Sequence, residues 1–440
     1  MKINFSPFSL RKTITLGLFS VVLLVALSNP INAQSAKKSK TKPWYELGMM
    51  VDPILDQIFL FYLAMTYTNQ SDIGECFDTA SKVKLDDPDS WANEWTATAN
   101  RLQKLAVNSE KEGNTISAGQ QYLRSATYYS AALHRHNHPE APLVKKNTRM
   151  ASASFKKAIE LLKLPVEPVQ IPYEDGYLPG YFFKSPIADG PAPVMIIHQG
   201  RDGWAIHDKY LADAAIKRGY HCLLFDGPGQ GVTLRLQGLP FRYDWENVIT
   251  PVVDFVVQRN DVDPDRIGLM GLSMGGSLAP RAAAFEKRIK VCVANPGVLN
   301  WSDIPLEFMG NFDPELKTLW KSDPEKFNKR IEELGKKIPL IAWGIDDMMW
   351  KHGAETPADW VVDMQNYSNL DIVSKITCKV LVMDGTDDDF SQGKELFEAL
   401  KCPKDYMLFT AEDTGLQHCQ AGALGISSER IFDWLDKNLK

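Results

Sequence analysis

Ile267-Gly268-Leu269-Met270-Gly271-Leu272-Ser273-Met274-Gly275 joins a short apolar run to a helix-forming one through a serine flanked by glycines. Before it, Asp263-Pro264-Asp265 reads as a turn. After it, Gly276 to Phe285 is rich in alanine and other small residues and reads as a helix. A serine at such a junction sits in a tight, strained turn at the carboxyl end of a strand. The helix N-terminus lies behind it and its hydroxyl projects outward. The G-x-S-x-G spacing alone is common; the strand–turn–helix context is what gives it chemical meaning.

A serine hydroxyl is a weak nucleophile and needs a base, and the base needs a carboxylate to orient it. Two later strands offer these partners. Cys378 to Met383, apolar but for Lys379, reads as a buried strand and runs into Asp384-Gly385-Thr386-Asp387-Asp388-Asp389. Asp405 to Phe409 is the second strand, and the loop after it carries Gln417-His418-Cys419. His418 is the only histidine after His352, which makes it the candidate base. Asp387 and Asp388 compete for the role of acid, Asp384 ends the strand, and Asp389 reads as solvated.

Acyl transfer also needs donors for a developing oxyanion. Ala192 to His198 reads as a strand followed by Gln199-Gly200-Arg201-Asp202-Gly203. The backbone N–H groups of Arg201 and Met274 are the candidate donors. His198 is read as a strand-end residue bonded to loop backbone, and Cys419, beside the base, as no nucleophile.

His198 to Gly203, Leu223-Leu224-Phe225-Asp226-Gly227-Pro228-Gly229-Gln230-Gly231, the serine turn and His418 to Gly422 together resemble one α/β-hydrolase group. It includes esterase FrsA-like proteins, 2,6-dihydroxypseudooxynicotine hydrolase and fungal hydrolases that shorten polyketide chains. The resemblance runs from Val166 to Lys440 and extends more loosely to Tyr122–Tyr129. It implies an α/β-hydrolase fold, a mostly parallel sheet with helices on both faces, preceded by a helical domain. It also implies a Ser–Asp–His hydrolase acting on an ester, or on a carbon–carbon bond next to a carbonyl. In the hydrolase pattern the acid stands three residues beyond the strand-ending glycine, which selects Asp388 over Asp387.

Composition agrees with an ordinary folded enzyme. The chain has 440 residues, 44% hydrophobic and 24% charged, enough for a core domain with additions. Lys2, Arg11 and Lys12 precede an apolar run from Ile14 to Leu27, broken by Asn29-Pro30. That pattern predicts a signal peptide over residues 1–33, with an uncleaved membrane anchor as the alternative. The expected mature chain is periplasmic or secreted, with a tether over 34–43. Removing the leader's three cations takes the net charge from −6 to −9, which argues against nucleic acid as a partner. The expected partner is a small-molecule acyl or carbonyl substrate; no cofactor or metal is called for, and self-association into a homo-oligomer is left open.

Residues 44–165 have helical spacing and few strand signals, and Tyr122, Tyr128 and Tyr129 read as helix-packing residues. His134, His136 and His138 alternate before Pro139 and read as a polar loop rather than a metal site. Residues 166–440 form the expected catalytic domain, opening with a hairpin turned at Glu174-Asp175-Gly176. Between about 299 and 376 a helical insertion interrupts the strand pattern. It is placed to overhang Ser273 as a lid, with Trp350 and Trp360 as candidate pocket residues. Of the six cysteines, Cys222 and Cys292 read as strand core, and a Cys378–Cys402 bond is disfavoured. A serine esterase is the leading reading. Behind it stand a carbon–carbon bond hydrolase, a serine peptidase and a non-catalytic binding protein of the same fold.

Overall fold

A computed structural model describes residues 48–440 apart from 51–52, 85–86 and 137–139. The signal peptide and tether expected over residues 1–43, and His138, lie outside the described residues. The described residues begin with five α-helices: α1 (Pro53–Ala64), α2 (Ile73–Ala80), α3 (Ser90–Lys111), α4 (Thr115–Ala131) and α5 (Pro142–Leu162). Local chemistry sets several ends. The Asp72 carboxylate accepts from the Gly74 and Glu75 amides at the start of α2, and Pro142 stands in the first turn of α5. Buried Trp91, Trp95, Ala99, Leu102 and Ala106 recur along one face of α3 at helical spacing.

Eight strands follow: β1 (Val166–Tyr173), β2 (Gly176–Phe183), β3 (Ala192–His198), β4 (His221–Phe225), β5 (Val262–Leu272), β6 (Ile289–Asn295), β7 (Lys379–Gly385) and β8 (Lys404–Phe409). They form one sheet in the order β1-β2-β4-β3-β5-β6-β7-β8. From β4 to β8 the pairs are parallel, while β1 and β2 are an antiparallel hairpin on the β4 edge. Every residue of β3 and β4 is buried, as expected of parallel strands covered on both faces. Asp263-Pro264-Asp265 is not a free turn. It bulges within β5, whose pairing with β3 jumps from Ala192–Val262 to Val194–Ile267.

The remaining helices are α6 (Lys209–Lys217), α7 (Glu246–Val257), α8 (Gly275–Phe285), α9 (Asp303–Gly310), α10 (Leu316–Ser322), α11 (Pro324–Lys337), α12 (Pro339–His352), α13 (Pro357–Met364), α14 (Gly393–Ala399) and α15 (Leu424–Asn438). Helices α9 to α13 make up the insertion between β6 and β7. Successive residues of β3 point to opposite faces, and so belong to two cores. Val194 and Ile196 pack with α7, α8 and the insertion. Met195 and Ile197 share the other core with α6, α15 and the five N-terminal helices. The Phe155 ring of α5 lies 4.8 Å from that of Tyr181 on β2, and Gln70 donates to the Ile206 carbonyl at 2.7 Å. Among the described residues no helix is long and apolar enough to cross a membrane.

Candidate active site

Ser273 lies between β5 and α8 with φ of 58°, a left-handed conformation that costs a non-glycine residue about 1–3 kcal/mol. Two flanking glycines make the turn sterically feasible. A Cβ on Gly271 would overlap the Gly275 carbonyl, and one on Gly276 would overlap the Pro296 carbonyl. The Ser273 amide donates to the Asn295 carbonyl at 2.7 Å, anchoring the turn to the end of β6. Asn295 and Gln420 exchange side-chain hydrogen bonds at 2.9 and 3.1 Å, tying that anchor to the loop after β8.

The loop after β8 brings His418 Nε2 within 2.9 Å of Ser273 Oγ. The loop after β7 brings Asp388 to the other side of the ring, with Oδ1 and Oδ2 at 2.9 and 3.0 Å from Nδ1. With Nδ1 protonated toward Asp388, Nε2 presents its lone pair to the serine hydroxyl. The Asp388 side chain is fully buried and also accepts from the Phe390 amide at 3.0 Å. Asp387 turns away and accepts from Gln417 Nε2 at 2.8 Å. Burial disfavours the His418 imidazolium, but the adjacent Asp388 carboxylate outweighs it and holds the pKa well above the ordinary value. The Phe390 ring packs 4.8 Å from the His418 ring and stacks on Trp301 of the insertion. Cys419 Sγ lies 3.6 Å from His418 Nε2.

The loop after β3 approaches the serine turn closely. A Cβ on Gly200 would sit 2.5 Å from the Met274 amide nitrogen, so only glycine allows this approach. Gln230 holds the loop by donating to the Gln199 and Gly200 carbonyls while accepting from the Gly227 amide at 2.9 Å. Among the described residues, neither the Arg201 nor the Met274 N–H is taken up by a turn or loop hydrogen bond. His198 is fully buried, bonded through Nδ1 to the Gln199 carbonyl and through Nε2 to Trp245 Nε1. Burial lowers its pKa to about 4, which keeps it neutral.

The insertion reaches this loop through charge. Lys351 of α12 bridges Asp202 at 2.6 Å and Asp347 at 2.8 Å, and Arg201 pairs with Asp202 at 3.2 Å. Burial pushes the Asp202 carboxyl up, and Arg201 and Lys351 override it, holding it well below the usual carboxylate range. The two tryptophans expected to line a pocket separate here. Trp360 is buried in the core beneath the insertion, whereas Trp350 is half-buried and faces Arg235. His134 does not sit in an open polar loop: its Nδ1 is 3.0 Å from Tyr62 Oη, and His136 is buried 4.0 Å from Asp89. All six cysteines are free thiols, with Cys222 and Cys292 buried in β4 and β6.

Sequence reasoning missed Phe390, Asn295 and Arg235, and read Gln420 only as part of the His418–Gly422 run, without its bond to Asn295. Gln230 was legible within the Gly227–Gly231 run, but its role as a clamp on the loop after β3 was not.

A family model described as esterase FrsA-like matches residues 33–300, and one described as BAAT / acyl-CoA thioester hydrolase C terminal matches residues 250–401. The chain is 33% identical to the hydrolase LUC6 of Fusarium sp, over 83% of this chain and 92% of that one. It is 31% identical to the 20-hydroxy-prefusarin hydrolase FUS2 of Gibberella moniliformis, over 86% of this chain and 94% of that one. Among solved structures, 2,6-dihydroxy-pseudo-oxynicotine hydrolase superposes with a TM-score of 0.66 at 19% identity, covering 86% of this chain and 95% of its own. AbyA5 superposes with a TM-score of 0.55 at 16% identity, covering 86% and 97%. These two structural likenesses establish a shared fold.

Proposed function

The chain belongs to the FrsA-like esterase family of α/β-hydrolases, and on that premise we propose that it is a serine hydrolase cleaving a carboxylic ester through an acyl-enzyme. The observation that carries this reading is the unbroken hydrogen-bond line from Ser273 Oγ through His418 to Asp388. His418 takes the serine proton as Oγ attacks the substrate carbonyl carbon, and Asp388 stabilises the resulting imidazolium. The Arg201 and Met274 amides receive the negative charge that forms on the carbonyl oxygen. His418 then protonates the leaving alkoxide as the carbon–oxygen bond breaks. Water, activated by the same histidine, releases the acid and restores Ser273. A carbon–carbon bond next to a carbonyl would break by the same sequence, with the proton going to a carbanion.

Fluorophosphonate labelling of the protein, read by peptide mass spectrometry beside a Ser273→Ala control, tests this directly. Modification confined to Ser273, and loss of at least about 10⁴-fold in ester turnover in Ser273→Ala, are the expected results. A paired screen of esters and β-diketones then assigns the bond cleaved. Absence of labelling and of turnover would leave a binding protein of hydrolase fold. We further read the enzyme as exported, from the charged-then-apolar pattern of residues 1–33. A mature terminus near Gln34 is the result expected from N-terminal sequencing of the cell-made protein.

A further inference from the structure

Arg235 carries a buried charge that, among the described residues, has no carboxylate in contact with it. It lies in a single π-helical turn, Thr233–Gln237, that begins two residues after the Gly227–Gly231 run; such turns recur at functional sites. Arg235 is only 6% exposed. Its Nη1 donates to the Gly231 carbonyl at 3.2 Å, but among the described residues its Nε has no hydrogen-bond partner. Nor does any described carboxylate lie within ion-pair distance of it. Its guanidinium sits 4.9 Å from the Trp204 ring centroid and 5.4 Å from that of Trp350. Two aromatic faces thus hold the guanidinium, and its Nε is left without an acceptor.

Its acidic neighbours are held in other contacts. Lys351 and Arg201 are already engaged with Asp202 and Asp347, and neither of those carboxylates pairs with Arg235. The nearby Asp226 spends its oxygens on the Ala205 and Val232 amides. Burial works against the Arg235 cation more strongly than Asp347 and Asp226 support it. A guanidinium does not give up its proton in a protein, so the positive charge stays. A buried cation with no contact ion pair destabilises a fold, and such a departure from good packing is expected where function uses it. Arg235 lies close enough to Asp202, which adjoins the candidate oxyanion donor Arg201, for their charges to interact. Gln230, five residues earlier, clamps the Gln199–Gly200 backbone against the serine turn, and Asp202 adjoins Arg201.

We propose that Arg235 is a specificity-determining residue that receives an anionic oxygen of the substrate, a carboxylate or an enolate, between Trp204 and Trp350. The inference rests on the serine-hydrolase reading and narrows its substrate class to acyl compounds carrying a negative charge away from the attacked carbonyl. The planar fork suits two oxygens of a carboxylate or the conjugated oxygens of an acidic β-dicarbonyl.

The test compares the p-nitrophenyl hemi-ester of glutaric acid with neutral p-nitrophenyl butyrate, using the full protein and its Arg235→Met and Arg235→Lys variants. The wild-type protein is expected to favour the hemi-ester at least tenfold in kcat/KM. Arg235→Met should shrink that preference thirtyfold or more, through KM, with Tm unchanged or higher because an unpaired charge has been removed. Arg235→Lys, which keeps the charge and loses the fork, should fall between. Fluorophosphonate labelling of Ser273 in all three proteins separates the two readings. Labelling without any charge preference overturns the role of Arg235 alone, whereas no labelling overturns the serine-hydrolase reading beneath it. A lower Tm in Arg235→Met, with equal losses on both esters, would make Arg235 a structural residue. An insoluble Arg235→Met with an unaltered preference in Arg235→Lys would do the same. A parallel β-diketone series decides between carboxylate and enolate: a preference that follows the diketone's acidity assigns the enolate.

Discussion

Asp388 offers both carboxylate oxygens to a single nitrogen of His418, at 2.9 and 3.0 Å, from a side chain with no solvent exposure. Its neighbour Asp387 faces Gln417 instead. Adjacent acids of identical chemistry therefore stand in different electrostatic situations. Asp388→Asn is expected to lower kcat by roughly 10³–10⁴-fold, because the amide no longer fixes the tautomer or stabilises the imidazolium. Asp387→Asn should stay within threefold, and steady-state kinetics of the two variants on one ester decides the assignment.

The pH profile follows from the same contact. A base must be unprotonated to accept the serine proton, and His418 is held well above its ordinary value. The acidic limb of kcat/KM should therefore fall above pH ~6.5, the unperturbed histidine value. Removing the carboxylate removes the group that raises it, so the residual activity of Asp388→Asn should have its limb at lower pH. A limb that stays in place in that variant would mean that another group titrates.

Two glycine substitutions should move stability in opposite directions. Gly276→Ala drives a methyl into the Pro296 carbonyl and should cost about 1–3 kcal/mol or more. Gly344→Ala in α12 meets nothing within 4 Å and should stabilise by about 0.5–1 kcal/mol through helix propensity. Urea unfolding of both variants checks the pair.

Asp226 gives stability a pH dependence of its own. Burial raises its pKa to about 6 even though the Val232 and Ala205 amides donate to its carboxylate. The folded state then binds a proton that an unfolded chain, with pKa near 3.9, releases earlier. The associated stability is fully present below pH ~4 and is lost as pH rises through about 6, by an amount up to about 3 kcal/mol. Asp226→Asn should flatten the stability profile across that window, as read by denaturant midpoints from pH 4 to pH 8.

The parts that could be read in the sequence were those with local causes. Strand β3 and the Val291–Ala294 and Cys222–Phe225 stretches of β6 and β4 announce themselves as apolar runs, and Ser273 by glycines whose absent Cβ atoms make room for its turn. His418 followed from scarcity. The choice between Asp387 and Asp388 rested on family resemblance, because it depends on how the loop after β7 meets Leu416 and Gln417, a contact 30 residues away. Asp263-Pro264-Asp265 looked like a free turn because a bulge uses the same residue types. Arg235 gave no signal at all: its meaning lies in two tryptophans brought from the β3 loop and from α12. Trp360 was misleading for the converse reason, since an aromatic in an insertion looks alike whether it faces a ligand or the core.

The five N-terminal helices and one face of the sheet have a single core between them, sealed by Phe155 on Tyr181 and by Gln70 on the Ile206 carbonyl. The modular boundary suggested by the sequence near residue 165 is therefore no place to cut. A chain begun at β1 would open Tyr181, Trp204 and Ile206 to water and present a fresh adhesive surface to its own kind. In recombination, whether in nature or at the bench, the transferable cassette is the helices together with the sheet. A transplanted sheet without them would reach a new host as a precipitate before it could become a catalyst.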